Sequence, residues 1–342
     1  MAYTDIDFPA EYFNTVLYAG NSSTQSITGV GFAPDWVWFK ARNNTDTHAV
    51  FDIVRGVQQR LIPNNNSAEG TQSNGLTAFD SDGFTIGDAG IVNQGYNYVA
   101  WNWKANGAGV SNTDGTITST VSVSTTSGFS IVSYTGTGSN ATVGHGLGVA
   151  PDMIITKVRA NSGNNWAVFH KSLGAGNIIW LNLTNAVSAD TSFWNNTTPT
   201  SSVFSIGTQG DTNRSANTII AYCFADVKGF SKFGSYTGNG SADGTFVYTG
   251  FKPAFVITKR TDAGDGWIMF DNKRSSFNIV DKNVQANSSN AEVTFGYLDF
   301  LSNGFKLRMT GASANGSGAS YIYMAFAENP FVTSTSIPTT AR

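Results

Sequence analysis

The chain has 342 residues, of which 13% are aromatic and only 13% are charged, and its formal net charge is −3. Charged residues make up roughly a quarter of an average protein. The surface must therefore be covered mainly by Asn, Ser, Thr and Gly, as suits an extracellular or particle-exposed protein. Lys and Arg are scattered without a basic stripe, which argues against nucleic acid as a partner because phosphate binding needs clustered positive charge.

The start of the chain and its single cysteine bear on the compartment. Residues 1–7 lack the basic and apolar regions of a secretory signal, and no apolar run approaches the ~20 residues that span a bilayer. Cys223 rules out an intramolecular disulfide and lies in an apolar run, which favours a buried hydrophobe over a reactive thiol. We therefore expect synthesis in a reducing cytoplasm, no membrane insertion, and release by a route such as lysis if the protein works outside the cell.

One template occurs three times along the chain, in the same order and at intervals of roughly 100 residues. Its first block is a Gly-x-x-Pro turn followed by an apolar run with a lysine, its second is a short apolar run, and its third is rich in aromatics. The first block occupies residues 31–42, 148–159 and 250–260, the second 48–52, 166–170 and 267–271, and the third 98–103, 219–224 and 321–326. Matched blocks in one order indicate three units.

Each unit contains short runs of β-branched and aromatic residues separated by Gly, Asn-Gly or Asp-Gly. The clearest hairpin turns are Asp82-Gly83 and Asn303-Gly304, and no helical stripe of useful length occurs. We predict an all-β chain of three tandem β-sandwich repeats, jelly-roll-like and about 100 residues each. The predicted boundaries are an N-terminal segment at 1–15, repeats at 16–105, 129–228 and 229–331, a linker at 106–128 and a C-terminal tail at 332–342.

The predicted linker, residues 106–128, is rich in Gly, Ser, Thr and Val. Its central residues 117–123 alternate in part, which is typical of an extended strand lying between units. The junction at 225–230 is short by comparison. We therefore expect the first unit to be set apart and the second and third to be closely coupled.

A lysine recurs at the end of the first block. Because side chains alternate along a strand, Lys40 shares a face with two tryptophans, and a hairpin with the second block would let it meet Asp52. The same parity would let Lys259 meet Asp271, whereas His170 takes the acid's position in the second unit. A lysine beside an apolar face needs a partner, so we predict Lys–Asp ion pairs closing the sandwich edge rather than a ligand site.

Motifs for catalysis or cofactors are missing. The sequence has no Gly-x-Ser-x-Gly elbow, no His-x-x-x-His pair, no cysteine pair and no Walker motif, so neither metal, nucleotide nor other cofactor is indicated. The histidines (His48, His145 and His170) leave a Ser-His-Asp triad open, and paired carboxylates for glycosidic cleavage stay conceivable. The acids do not recur together across the units, however. We expect no catalytic residues and a non-enzymatic protein.

Two groups of residues could bind a ligand. The acidic loops at 80–83 and 262–265 could hold calcium, but they lack the distal glutamate of an EF-hand loop, and Asp-Gly fits a tight turn directly. Tryptophans could stack on a sugar ring, although burial in a core is the commoner fate of any one of them. The candidates for sugar stacking are Trp101 and Trp103, which share a face, and Trp180 and Trp194, which lie outside the shared blocks.

Taken together, the blocks resemble an uncharacterised tandem β-sandwich repeat family in virion proteins of tailed bacteriophages, notably marine and cyanobacterial ones. The resembling residues are 12–18, 31–38, 98–104, 230–240 and 325–331. The resemblance implies a particle-surface role among other virion proteins, as a tail fibre or appendage that contacts host surface glycans. The alternative is a capsid or tail decoration protein with a purely structural role. By analogy with phage appendages we expect a homotrimer, and the resemblance brings no catalytic or ligand-binding residue with it.

Overall fold

The computed structural model describes residues 3–339 and is nearly all-β. Helix is limited to a short 3-10 turn at Pro9–Glu11 and to two single-turn helices, α1 (Gly90–Asn93) and α2 (Gly210–Asn213). No helix among these residues has the length and apolarity needed to cross a membrane. The prediction of an all-β chain is confirmed.

The first segment, residues 13–103, has a main antiparallel sheet in the order β1-β9-β3-β4, with a smaller sheet, β2-β8-β7, and the short pair β5-β6. Its strands are β1 (Phe13–Ala19), β2 (Gln25–Thr28), β3 (Trp36–Ala41), β4 (Ala49–Asp52), β5 (Gln59–Arg60), β6 (Gly70–Thr71), β7 (Leu76–Asp80), β8 (Gly83–Ile86) and β9 (Asn97–Trp103).

The second segment, residues 110–224, has a main sheet in the order β10-β11-β12-β19-β14-β15-β16-β17 and a small sheet of β13 and β18. Its strands are β10 (Val110–Asn112), β11 (Ser119–Ser124), β12 (Phe129–Thr135), β13 (Ala141–Gly144), β14 (Met153–Val158), β15 (Ala167–His170), β16 (Asn177–Trp180), β17 (Ser188–Ala189), β18 (Val203–Ile206) and β19 (Thr218–Phe224).

The third segment, residues 231–330, forms one continuous sheet in the order β20-β27-β22-β23-β24-β25-β26-β21. Its strands are β20 (Ser231–Thr237), β21 (Phe246–Tyr248), β22 (Phe251–Arg260), β23 (Trp267–Asp271), β24 (Val280–Gln285), β25 (Val293–Leu301), β26 (Gly304–Leu307) and β27 (Ser320–Pro330).

Residues 106–128 do not form a linker. Val110–Asn112 and Ser119–Ser124 pair with each other, and the latter strand pairs with β12, so both extend the main sheet of the second segment. The predicted extended strand is present, but it belongs to one segment instead of lying between two. The expectation that the first segment is set apart is wrong as well, because all three segments share one buried core.

Alternation along the strands creates two kinds of core. In β3, Trp36 and Trp38 face the shared core, whereas Val37 and Phe39 face a local core under the small sheet of the first segment. The second and third segments divide their side chains in the same way between the shared core and a local one. Each main sheet is therefore buried on both faces, which explains why nearly every residue of its inner strands is apolar.

The two ends of the described chain meet. The carboxylate of Asp7 accepts hydrogen bonds from the backbone N–H of Ser334 at 2.7 Å and from its hydroxyl at 2.5 Å. The phenol of Tyr3 donates to the carbonyl of Gly250 in the third segment at 2.7 Å. The terminal segments predicted at 1–15 and 332–342 thus lie against the folded body, while residues 1, 2 and 340–342 of those predictions lie outside the described residues.

Candidate functional site

The tryptophans predicted to stack on sugar offer no open face. Trp101 and Trp103 lie in the shared core and Trp194 in the local core of the second segment, and all three are fully buried. Trp180 is partly buried, and its Nε1 donates to Asp211 Oδ2 at 3.1 Å. The sugar-stacking hypothesis is wrong for the three buried side chains, and the indole N–H of the fourth is engaged within the protein.

The predicted ion pairs, Lys40 with Asp52 and Lys259 with Asp271, are also wrong. The hairpin register places Asp52 opposite Trp36, four positions along the strand from Lys40. The third segment follows the same register. The predicted face was right, but the lysine and the aspartate lie at opposite ends of it.

The lysines instead donate to backbone carbonyls. Lys157 Nζ donates to Asn164 O at 2.8 Å, and Lys259 Nζ donates at 3.2 Å to Thr184 O in the second segment. Burial lowers the pKa of Lys40, Lys157 and Lys259 to about 8 each. The three ammonium groups therefore hold loops in place and are not available to a ligand.

The two aspartates lie at contacts between segments. Asp52 is paired with Arg55 and accepts a hydrogen bond from Tyr222 Oη, in the second segment, at 2.7 Å. Asp271 accepts one from Trp101 Nε1, in the first segment, at 3.1 Å. Both carboxylates are fully buried and fully engaged, so they hold segments together and do not form a site.

The acidic loops have structural partners. β7 ends at Asp80 and β8 begins at Gly83, so the predicted tight turn is confirmed. The Asp82 carboxylate accepts from the backbone N–H of Gly31 at 2.7 Å, and Asp262 is ion-paired with a neighbouring arginine at 2.8 Å. Within residues 3–339, no group of three or more His, Cys, Asp or Glu side chains is placed to hold a metal ion.

All three histidines are buried; His48 and His170 are hydrogen-bonded across segments, whereas His145 is hydrogen-bonded within the second segment. Nε2 of His48 lies 3.0 Å from Gln285 O, and Nε2 of His170 lies 3.2 Å from Tyr323 O. In both rings Nδ1 accepts a hydrogen bond, so the proton sits on Nε2. Burial lowers the pKa of His48 to about 3 and of His170 to about 4. Neutral, buried rings of this kind serve packing and not proton transfer to an outside ligand.

One open groove lies in the third segment, beside the loop that joins β23 to β24. We call it the third-segment groove; it encloses about 350 Å³. Phe277 on this loop is 79% exposed, the highest value among the large hydrophobic side chains in residues 3–339. The polar side chains that line the groove with it are Lys252, Asn272, Lys273, Ser275, Ser276, Asn278 and Glu328.

The charges of the groove are only partly compensated. Lys252 Nζ lies 2.6 Å from Glu328 Oε2, so these two groups neutralise each other. Lys273 is exposed, and its ammonium group has no ion pair or hydrogen bond with the described residues. The side-chain oxygen of Asn272 is buried and also has no partner there. An exposed ring, a free cation and an unpaired amide suit binding of a polar ligand.

The loop that carries Phe277 is held by its own side chains. Asn278 Nδ2 donates to Phe300 O and its Oδ1 accepts from Phe300 N, both at 2.9 Å. Ser275 Oγ donates to Asp281 Oδ1 at 2.9 Å. A loop backbone held in this way loses little freedom when a ligand binds.

The groove has no counterpart in the first segment. The hairpin registers align Asp271 with Asp52, so Asn272 and Lys273 correspond to Ile53 and Val54, which pack against the shared core. Sequence reasoning missed the groove because it followed the shared blocks, and Phe277 lies between them. The available signal was a single aromatic residue in the polar run Ser275-Ser276-Phe277-Asn278, which has no strand pattern that would bury it.

Comparisons with known proteins give one result. A family model described as a domain of unknown function (DUF7483) matches residues 8–330. No curated protein matches the chain, and no solved structure does.

Proposed function

We propose that this chain, which belongs to the DUF7483 family of domains of unknown function, is a non-enzymatic structural protein on the surface of a bacteriophage particle, as a tail fibre or appendage. The observation that carries the proposal is the shared core, around which all three segments close. The residues that resemble phage virion proteins include Trp36, Trp38, Trp101 and Trp103, which build that core. The resemblance therefore concerns the architecture as a whole.

We infer further that the three segments are tandem copies of one jelly-roll-like β-sandwich. The orders β1-β9-β3-β4, β12-β19-β14-β15 and β20-β27-β22-β23 are the same arrangement of strands. In each, the first block pairs in the same register with the aromatic-rich block, and each segment has a local core. Three copies in one chain can occupy the places that three subunits occupy in a trimer.

Equivalent hydrogen bonds link the segments in a closed ring. Trp166 Nε1 of the second segment donates to Ile62 O of the first at 3.0 Å, and Trp267 Nε1 of the third donates to Trp180 O of the second at 2.9 Å. His48 of the first segment completes the ring with the third. We infer that one chain replaces the trimer expected by analogy. Light scattering should then give a mass near 36.3 kDa, and a mass three times larger would contradict the inference.

A particle surface fits the composition. A protein outside the cell must persist without repair, and this chain has no disulfide to help it, since its single cysteine is buried. A large aromatic core shared by three segments supplies stability in another way, because burial of apolar area is the main favourable contribution to folding. The surface, poor in charge and rich in neutral polar residues, fits exposure on a particle.

Labelling of intact particles tests the location. Antibodies raised against the purified chain should decorate purified phage particles, at the tail for a fibre or appendage. Recovery of the chain only in the soluble fraction of the lysate, with particles unlabelled, would contradict the proposal.

The alternative is a capsid or tail decoration protein with a purely structural role. Two exposed apolar side chains of the third segment, Phe277 and Phe295, favour it, because such side chains commonly mark contact surfaces. Labelling spread over the capsid, together with protection of these two side chains on the particle, would support this alternative over a fibre.

A further inference from the structure

We propose that the third-segment groove binds a saccharide that carries carboxylate groups, such as the uronic acid units of an acidic surface polysaccharide. The inference rests on the proposed function, for which it names the class of ligand. It is argued from three groups in the groove that lack a partner within the protein: the Phe277 ring, the Asn272 amide oxygen and the Lys273 ammonium group.

The Phe277 ring supplies an apolar platform. With 79% of its surface exposed, it has an open face, whereas an aromatic side chain normally gains stability by burial. A pyranose ring has an apolar face of C–H groups that can cover such a platform, leaving its hydroxyls at the rim. The hydrogen bonds of Asn278 to the backbone of Phe300 hold the loop that carries this ring before the sugar binds.

The Asn272 amide supplies an acceptor for a sugar hydroxyl. Its Oδ1 is buried but has no hydrogen-bond partner among the described residues, although buried polar atoms are nearly always paired. Asn272 lines the groove, so a rotation of its amide into the groove would let this oxygen accept a hydrogen bond from a ligand hydroxyl. Glu328, already paired with Lys252, has acceptor capacity left for a second hydroxyl.

The free charge of the groove decides the class of saccharide. Lys252 is neutralised by Glu328 at 2.6 Å, while Lys273 has no partner in the described part of the chain. The groove therefore carries one uncompensated positive charge, and a ligand carboxylate can pair with it. A neutral saccharide would leave that charge unused and should bind more weakly.

Catalysis on the bound sugar is not part of the proposal. Among the described residues that line the groove, Glu328 is the one carboxylate, and glycosidic cleavage ordinarily uses two carboxyl groups that flank the bond. The groove is proposed as a binding site, in agreement with a non-enzymatic surface protein.

Calorimetric titration of the full chain tests the groove. The probes are a galacturonic acid oligosaccharide and a neutral galactose oligosaccharide of the same length. We expect the acidic probe to bind about tenfold more tightly, as one ion pair in a half-open site allows. Equal affinity for both probes would overturn the assignment of charge, and no binding of either at millimolar concentration would overturn the site.

Two variants locate the binding, with a third as control. Lys273→Met should weaken binding of the acidic probe about tenfold and leave the neutral probe unchanged, because it removes the charge and keeps a long apolar side chain. Phe277→Ala should weaken both probes by about tenfold or more, since the platform is shared. Phe8→Ala removes another exposed phenylalanine, 69% exposed, and should change neither. Equal effects of Phe8→Ala and Phe277→Ala would place the binding elsewhere.

The outcomes separate this inference from the proposed function. Labelled particles whose purified protein binds no saccharide would overturn the groove and favour the decoration role. Saccharide binding by a protein that is absent from particles would keep the groove and overturn the location.

Discussion

Two of the three contacts between segments contain a buried ion-pair network, and the third is neutral. The contact between the first and second segments contains such a network. Asp52 pairs with Arg55 in full burial. Arg55 also lies 3.0 Å from Glu69, which accepts two hydrogen bonds from Arg159 of the second segment, at 2.8 and 3.0 Å. Although burial opposes it, the hydrogen bond and charge of Arg159, together with Arg55, hold the pKa of Glu69 below its usual value.

The contact between the third and first segments repeats this chain of charges. Asp271 pairs with Arg274, and Arg274 lies 3.4 Å from Glu292. Glu292 accepts two hydrogen bonds from Arg42 of the first segment, at 2.8 and 3.0 Å. The sequence of Asp, Arg, Glu and Arg is the same in both contacts, so the network belongs to the shared template.

The contact between the second and third segments lacks the network. His170 stands where the other segments have the aspartate and donates from Nε2 to Tyr323 O at 3.2 Å. Leu173 stands at the position of the arginine and packs against the shared core. The three segments form a closed ring with both kinds of contact, as expected if a buried ion pair and a well-packed neutral pair have similar net free energies. Removing only half of a network is a different matter, because it strands a buried charge.

The largest effect is expected for Arg55→Leu. The change leaves Asp52 buried beside a neutral side chain, and a broken buried pair costs about 3–5 kcal/mol of unfolding free energy. Urea denaturation measures it. The matched variant, Asp52→His with Arg55→Leu, copies the residues of the second segment and should recover more than half of the loss. An equal loss in both variants would show that the two kinds of contact are not interchangeable.

A pH dependence distinguishes the neutral histidines from the charged networks. Burial lowers the pKa of His170 to about 4 and of His48 to about 3, from 6.5. Below pH 6.5 the unfolded chain binds protons that the folded chain does not, so the unfolding free energy should fall by about 1.4 kcal/mol per pH unit for each histidine.

Urea denaturation at about pH 7 and about pH 5 measures this slope. His170→Gln and His48→Gln should each remove one histidine's share of it, and the share of His145, whose pKa burial also lowers, should remain. A slope that neither substitution changes would mean that other groups cause it.

Two tryptophans of β9 allow a comparison between an indole N–H that is hydrogen-bonded and one that is not. Trp101→Phe removes the hydrogen bond to Asp271 and should cost about 1–3 kcal/mol, because a buried carboxylate loses a donor. Trp103 Nε1 has no partner in the described structure, and the register aligns this residue with Phe224 and Phe326. Trp103→Phe leaves a similar cavity but strands no hydrogen-bonding partner, so its loss of unfolding free energy should be smaller than that of Trp101→Phe. Equal losses would contradict the role of the hydrogen bond.

The smallest difference in unfolding free energy is expected between substitutions of Arg42 and Arg260, which occupy equivalent positions in the first and third segments. Arg42→Ala breaks the two hydrogen bonds to Glu292 across a contact and should cost about 1 kcal/mol, since both groups are mostly but not fully buried. Arg260, the equivalent residue in the third segment, pairs only with exposed Asp262 beside it. Arg260→Ala should cost less than about 0.5 kcal/mol. A larger loss for Arg260 would remove the distinction between the contacts.

Much of the fold could be predicted because its signals are local. Alternation assigned Trp36 and Trp38 to one face and Val37 and Phe39 to the other, and the structure has them so. Asp82-Gly83 marked a turn through the conformational preferences of those two residues alone. The candidate site could not be predicted, because the local sequence does not show whether another part of the chain covers Phe277.

By itself, the sequence determined the all-β class, the order of the repeated blocks and the two faces of each inner strand, because these follow from side-chain alternation and turn preference within a few residues. Only the tertiary structure decided that the aromatic faces of three segments meet in one core. It also decided that Asp52 pairs with Arg55 and Tyr222 instead of Lys40. Arg55 is only three positions from Asp52, but the loss of Lys40 as a partner depends on strand register, and Tyr222 lies 170 positions away. No local pattern encodes either of these.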